Sequence, residues 1–362
     1  MRVLVVSSYG GLGGAELATA TFVEHRPPGF DVEALLVSPG PLAERLDDLG
    51  VPTWAASGYE GRPGPREPVR FSRGLRRLLR SRRPDVVWAV GQKAALLSVA
   101  GARAEGVPIV WHKVDFSWDS VLPVPLAAAV DGVITVSDAV AVALGPMRGV
   151  RHLGVVGPPL ALPRDLRAEP AGGEPAIGTL ARLVPYKGQD RIVRAAALLA
   201  PEFPSLRVVL AGTPEPQYPD YPDRLRALAH ETGLGERVEM PGFVRPVDVL
   251  PRLTVFVNAT YRDEEGFGLE GLSGAMLEAS WAGVPVVATR AGGTAEGVLD
   301  GRTGTLVDEA DPELLARAIA PYLRDPELAA ATGRAGMEFA RASFAPETAS
   351  KRLFELLASA RG

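Results

Sequence analysis

Hydrophobic residues along this chain fall in short, β-branched runs separated by longer stretches whose apolar positions recur with helical spacing. In the first half the runs are VLVV from Val3, VEALLV from Val32, DVVWAV from Asp85, PIVWH from Pro108 and GVITV from Gly132. In the second half they begin near Ala176, Arg207, Arg237, Thr254, Pro285 and Thr305, with helical segments such as GQDRIVRAAALLA from Gly188 and PELLARAIAPYL from Pro312 between them. Runs that are apolar throughout belong to strands buried on both faces, and the intervening helices make the crossovers of a parallel sheet. The series stops and restarts across GPPLALPRDLRAEPAGGEP, Gly157 to Pro175, which is dense in proline and glycine and has no period. Such a stretch reads as a linker. The pattern predicts two doubly wound α/β domains meeting near residue 170, with ligand sites at strand carboxyl ends facing a shared cleft.

Composition narrows this picture. At 362 residues the chain has room for two ordinary domains, and 46% hydrophobic with 23% charged residues is a globular balance. A formal charge of −4 gives no global attraction for nucleic acid or anionic lipid. The absence of cysteine excludes disulfides, thiolate metal sites and a cysteine nucleophile, and fits a reducing cytoplasm. The opening MRVLVVSS is too short for a signal peptide and reads as a first buried strand. No stretch approaches the roughly 18 uninterrupted apolar residues of a membrane span; VLPVPLAAAV from Val121 is short and broken by two prolines. A cytoplasmic protein is expected.

Three segments carry candidate chemistry. After the first strand comes YGGLGGAELATA, where Gly10, Gly11, Gly13 and Gly14 open a helix whose N–H groups could approach an anion. A dinucleotide fingerprint is the rival reading, weakened by Glu16 at its third glycine position, and a plain tight turn is the bland one. The second domain opens with GTLARLVPYKGQDRIV, whose strand-to-helix loop holds Arg182 and Lys187. Two cations on one crossover suit a diphosphate leaving group, although solvated surface charge is their commoner fate. The third segment, Arg262 to Gly293, places Glu270 and Glu278 eight residues apart, with Ser273 set to cap a helix between them. Gly271, Leu272, Ser273 and Gly274 would then aim N–H groups at the ligand that the two carboxylates line. Glu264 and Glu265 compete with Glu270, and mere helix-terminus charge is the alternative for both glutamates.

Two further features are less specific. His112 ends an apolar strand, where its ring could project into the cleft, and Asp115 follows as an exposed carboxylate; a lone histidine is more often structural. Between Arg62 and Arg83 nine arginines accompany one acid, Glu67, with Leu75, Leu78 and Leu79 interspersed. That basic amphipathic stretch is either a solvated face or a peripheral contact for anionic membrane at the inner face, or for an anionic acceptor.

In order and spacing these segments resemble family 4 of the retaining glycosyltransferases, the glycosyl transferases group 1. The marks are GGLGGAE, ARLVPYKG, RVEMPGFV from Arg237, EGLSGAMLE leading into ASWAGVPVV, and RAGGTAEGVLDGRTGTLV from Arg290, spanning nearly the whole chain. The resemblance implies a GT-B fold: two Rossmann-like doubly wound parallel-sheet domains facing a cleft. The first would be an acceptor domain over 1–165 and the second a nucleotide-sugar domain over 170–343, with a terminal helix over about 344–362 crossing back. It implies that Gly13 and Gly14 approach the donor diphosphate, that Arg182 and Lys187 bind it, and that Glu270 touches the transferred sugar. Glu278 would hold the ribose hydroxyls, backbone near Phe243 and Val244 would meet the base, and His112 would stand beside the sugar. Departures are VVGPPL where an asparagine-glycine turn is common, and Trp281 where a small residue is common.

The reaction so implied uses no side-chain nucleophile. Arg182, Lys187 and the Glu270 to Gly274 backbone would stabilise the departing diphosphate while the acceptor hydroxyl attacks on the face it vacates. No Asp-x-Asp occurs anywhere, so metal independence and no cofactor beyond the nucleotide-sugar co-substrate are expected. A nucleotide-sugar epimerase, or a non-catalytic nucleotide-sugar-binding partner of another transferase, would share most of these residues. A dehydrogenase lacks an acid at the end of the second strand. Donor base, acceptor and linkage are not legible, because acceptor pockets are built from variable loops.

Overall fold

A computed structural model of the chain describes residues 1–8, 10–11, 13–55, 67–116, 123–145, 150–168, 174–264 and 266–360. It divides into two compact units, Met1–Ala161 with Phe344–Gly362, and Leu162–Ser343.

Unit 1 is built on a seven-stranded parallel sheet: β1 (Arg2–Ser7), β2 (Asp31–Leu36), β3 (Thr53–Ala55), β4 (Val86–Val90), β5 (Ile109–Lys113), β6 (Gly132–Thr135) and β7 (His152–Val155), in the order β3-β2-β1-β4-β5-β6-β7. Along β1, Val3 and Val5 pack with Phe22, Trp88 and Phe354 on one face, while Leu4 and Val6 pack with Leu75, Leu79 and Trp111 on the other. Burial on both faces is why the run is apolar at every position, each such side chain being worth about 1.5–3 kcal/mol of transfer free energy. The sequence pattern passes over β3 and β7. They are edge strands of three and four residues, only half-buried, so no apolar run marks them.

Unit 2 repeats the plan with β8 (Ala176–Leu180), β9 (Arg207–Ala211), β10 (Val238–Glu239), β11 (Val255–Asn258), β12 (Val286–Thr289) and β13 (Gly304–Val307), all parallel, in the order β10-β9-β8-β11-β12-β13. In each sheet the winding reverses once, between β1 and β4 and between β8 and β11. Loops leaving the two strands of such a pair diverge to opposite faces and open a crevice, the usual ligand site of a doubly wound sheet.

The last helix, Pro346–Ser359, lies in unit 1, with Phe354 set against Trp88 and Phe30 at centroid distances of 6.2 and 5.0 Å. The chain between the units is less of a free linker than its composition suggests. Trp281 is 2% exposed and its Nε1 donates to Pro163 O at 3.1 Å. Arg341 lies 5.3 Å over its ring and donates to Leu166 O at 3.3 Å, and Ala168 N donates to Ala282 O at 2.7 Å. Leu162 to Ala168 is therefore fastened into unit 2, and the division falls at 161/162 rather than between 165 and 170. The Trp281 indole is one of the groups that tie this segment to unit 2.

Candidate functional site

The crevice of unit 2 collects most of the residues singled out in the sequence. From β8 the chain passes Arg182 and turns through Pro185–Lys187 into Gly188. Gly188 has φ +70°, and a Cβ there would collide with Ala259 O just past β11, so glycine alone permits this close crossing. The crossing brings Lys187 Nζ onto Glu270 Oε1 as an ion pair, with the side chains 14% and 16% exposed. Thr260 Oγ1, two residues beyond β11, donates to the same carboxylate oxygen at 3.1 Å. Glu270 itself is held by a single parallel bridge to Gly292, with Gly293 N donating to its carbonyl at 2.7 Å. Burial pushes the Glu270 carboxyl up, but the charge and hydrogen bond of Lys187, the Thr260 hydroxyl and the more distant Arg182 outweigh it and hold it below its ordinary value. Glu270 is thus an anion in an enclosed place.

Glu278 differs. It lies one turn inside the helix Gly274–Trp281, and burial alone pushes its carboxyl up to about 7. Ser273 is the N-cap residue, as its position suggests, but its side chain makes no capping hydrogen bond. The expected side-chain cap is not formed, so the helix's first N–H groups are not answered by Ser273. Gly271 is buried, and Leu272, Ser273 and Gly274 are half-buried around that helix start.

Arg182 is 58% exposed and pairs with Glu215, and its carbonyl accepts from the fully buried Gln189 Nε2 at 2.8 Å. Past β10, Phe243 is 76% exposed and Val244 half-buried, and Gly242 O accepts from Gly212 N at 2.8 Å. Of the rival carboxylates, Glu264 is exposed and Glu265 lies outside the described residues. Thr260, Gln189 and Glu215 were not foreseen. Thr260 could have been, since it sits at a strand's carboxyl end, whereas Gln189 and Glu215 leave no pattern in sequence.

In unit 1 the glycine loop has a different content from the one expected. A Cβ on Gly10 would strike Ser38 O and Pro39 O, so this glycine serves the packing of two loops. Gly13 is the N-cap of helix Gly14–Glu24, and the Glu16 carboxylate folds back over it, so near that a Cβ on Gly13 would lie 2.7 Å from Glu16 Oε2. This is one half of a capping box, the N3 carboxylate reaching back to the N-cap N–H; Gly13 has no side chain to return the bond. Burial raises the Glu16 carboxyl, the Glu16 and Gly13 N–H groups lower it, and Asp115 raises it further. A carboxylate therefore occupies the place where Gly13 and Gly14 were expected to offer N–H groups to a diphosphate. His112 does not project outward either. It is 3% exposed and enclosed by Phe22 and Trp88 at centroid distances of 6.0 and 6.1 Å. Burial lowers its pKa to about 4, offset in part by the Val156 backbone, so the ring is neutral.

The arginine-rich stretch is helical over Glu67–Arg82; Arg62 and Arg66 lie outside the described residues. Arg76 and Arg80 both pair with Glu105 at 2.7 Å, and Arg82 lies 4.8 Å over the Trp54 ring. Arg73 and Arg77 are exposed. No helix among the described residues is long and apolar enough to cross a membrane.

Residues 165–339 match the family model described as glycosyl transferases group 1, and residues 13–159 match a glycosyl transferase 4-like domain. The chain is similar to the GDP-mannose-dependent alpha-(1-6)-phosphatidylinositol monomannoside mannosyltransferase of Mycolicibacterium smegmatis, 35% identical over 319 residues covering 82% of this chain and 81% of that one. It is also similar to the lipopolysaccharide core biosynthesis mannosyltransferase LpcC of Rhizobium leguminosarum, 35% identical over 227 residues, 61% of this chain and 62% of that one. Among solved structures, Anabaena HepE in complex with UDP and glucose superimposes with a TM-score of 0.84 over 99% of this chain and all of that one, at 22% identity. At that identity the match speaks for the fold alone, which is GT-B.

Proposed function

The chain belongs to the glycosyl transferases group 1 family, and from that premise we propose that it moves a mannosyl group from GDP-mannose to a hydroxyl acceptor with retention of configuration. Transfer from a nucleotide sugar rests on the family and on its mannosyltransferase relatives. The choice of mannose and guanine rests on those relatives' names, and the residue roles rest on the crevice of unit 2.

One observation carries the reading: a buried Lys187–Glu270 pair on the switch point of unit 2, with Arg182 on the same loop. As the glycosidic bond lengthens, negative charge grows on the diphosphate, and the enclosed Lys187, the more exposed Arg182 and the N–H groups of Gly271 to Gly274 meet it. Because the protein supplies that charge itself, no divalent ion is required. Glu270, already an anion bonded to Lys187 and Thr260, accepts hydrogen bonds from sugar hydroxyls. Glu278 holds the ribose diol, and Phe243 with the Val244 backbone faces the base. The acceptor hydroxyl attacks on the face the leaving group vacates and passes its proton to a phosphate oxygen. His112 is neutral, so any hydrogen bond it gives is that of an uncharged imidazole. Arg73 and Arg77 would bring the protein to an anionic membrane surface, which equal flotation on neutral and anionic vesicles would disprove.

A thermal-shift panel of GDP, UDP, ADP and dTDP with their sugars, without added metal, is the direct test. Ligand at a hundredfold over its dissociation constant adds about 2.7 kcal/mol of stability. GDP-mannose should raise the melting temperature of the wild type and not of Arg182→Ala. A panel with no shift would sink the donor assignment. Binding without acceptor-dependent turnover would favour the epimerase or non-catalytic reading, and a β-mannoside product from GDP-α-mannose would overturn retention.

A further inference from the structure

Above the carboxyl ends of β11, β12 and β13, unit 2 contains a pocket of about 420 Å³ that shares only Thr260 with the groups given a part in the reaction just described. Thr260 and Thr289, each 2% exposed, lie at its base. One wall is Arg191, whose guanidinium lies 5.5 Å over the Tyr261 ring and pairs with Asp190 at 3.4 Å. Arg290 also lines the pocket, divided between Asp300 at 2.8 Å and Asp308 at 3.1 Å. Arg262 and Glu309 stand exposed at the rim.

The chemistry of this lining selects among ligands. A phosphate would meet three carboxylates, Asp308, Glu309 and Asp311, beside the guanidiniums of Arg191, Arg262 and Arg290, so the lining has no net positive charge to hold it. A lipid or aryl group would need an apolar lining, and here hydroxyls and charged side chains dominate. Guanidinium and carboxylate groups whose charges cancel still present planar pairs of donors and acceptors, which match the vicinal hydroxyls of a neutral sugar. The volume lies within the ordinary range of roughly 300–1,000 Å³ for small-ligand pockets. We propose that this pocket is a second carbohydrate subsite on unit 2, distinct from the donor site and taking one uncharged sugar residue of a glycan.

Its base adjoins the Lys187–Glu270 pair. Thr260 Oγ1 donates to Glu270, and Thr289 Oγ1 donates to Thr260 O. A sugar that draws on the Thr260 hydroxyl would remove one of the bonds that keep Glu270 ionised, so occupancy of the pocket is linked to donor binding. The proposal rests on the preceding reading only for the premise that sugars are this protein's ligands, and it is tested without turnover.

The experiment is ligand-observed NMR titration of the full chain with methyl α-D-mannopyranoside and with α-1,6-mannobiose, alone and with saturating GDP. Sugar binding should persist with GDP present. The double variant Arg262→Ala/Glu309→Ala, altering two exposed rim residues, should weaken sugar binding at least tenfold and leave GDP affinity and melting temperature unchanged. Displacement of the sugar by GDP, wild-type affinity in the double variant, or no sugar binding at tens of millimolar would each overturn the proposal. If inorganic phosphate binds in a manner abolished by the double variant and the sugars do not, the pocket is an anion site instead. Failure of GDP to bind at all would count against the donor reading alone, since the sugar titration of the double variant still decides this one.

Discussion

Where β8 and β11 diverge, unit 2 gathers Arg182, Lys187 and a carboxylate that its lysine holds ionised; near where β1 and β4 diverge, unit 1 places Glu16 and Asp115 together with Lys93, the buried Lys113 and a histidine kept neutral. The sheets share a topology and differ in how charge is held: unit 2 sets a lysine directly on an enclosed carboxylate, whereas in unit 1 burial raises the Glu16 carboxyl and keeps His112 neutral. On the proposed reading the nucleoside diphosphate goes to unit 2, where Lys187, Arg182 and the N–H groups of Gly271 to Gly274 would face it.

Removing the lysine should break this contrast most severely. Lys187→Met deletes a fixed cation facing the leaving group and leaves Glu270 buried with only Thr260 and the more distant Arg182. We expect kcat to fall about 10²–10³-fold, the range for losing one preorganised donor at a developing oxyanion, and the residual activity to need a higher pH, because the carboxyl rises when its main offset is gone. Asp115→Asn in unit 1 should change GDP-mannose affinity less than tenfold. Steady-state kinetics of both variants decide, and comparable losses would erase the distinction between the two ends.

Stability against pH separates the units a second way. Glu278 has a folded pKa of about 7 against an ordinary 4.5, so from pH 4.5 to 7 the folded state holds the extra proton and stability of unit 2 falls as pH rises. His112 has a folded pKa of about 4 against 6.5, so from pH 4 to 6.5 the unfolded state holds the extra proton and stability of unit 1 rises with pH. Each effect is worth at most about 3 kcal/mol. Calorimetry between pH 4.5 and 6.5 should find the two slopes nearly cancelling in the wild type. Glu278→Gln should leave a net gain with pH and His112→Asn a net loss; identical profiles in all three proteins would contradict both assignments.

This contrast also explains how much was legible in sequence. Apolar runs located every interior strand, because burial on both faces leaves no choice of residue, and missed β3 and β7, where an edge imposes no such demand. In unit 2, Lys187 stood out as one of two cations on a strand-to-helix crossover and Glu270 by the glycines after it, whereas their pairing, which the close crossing at Gly188 permits, has no mark in the sequence. In unit 1 the glycines misled: Gly10 serves loop packing and Gly13 is covered by Glu16, both facts of close approach that spacing does not encode. Trp281 was opaque for the same reason, since its partner Pro163 lies 118 positions away in the chain.

Phe243 offers a smaller test. An aromatic ring 76% exposed at a strand's carboxyl end gains little from the fold, and stacking on a nucleobase is worth about 1–3 kcal/mol. Phe243→Ala should therefore raise the GDP dissociation constant by about tenfold while the melting temperature of the free protein stays put. A drop in melting temperature with unchanged GDP affinity would make the ring structural.

The smallest expected effect has the opposite sign. Arg182 and Glu215 pair at the edge of the cationic crevice, with side chains 58% and 21% exposed. A diphosphate must draw Arg182 away from that carboxylate, and an exposed pair is worth about 0.2–1 kcal/mol, so its loss can tighten donor binding by no more than about fivefold. Glu215→Gln removes the competing charge while keeping a side chain of the same size beside the guanidinium. Titration calorimetry should find GDP bound more tightly by the variant at low salt, with the gain shrinking as ionic strength rises. Weaker binding would mean that Glu215 positions Arg182 for the phosphate instead of competing for it, and the crevice of unit 2 would then depend on two carboxylate-held cations, Arg182 on Glu215 and Lys187 on Glu270.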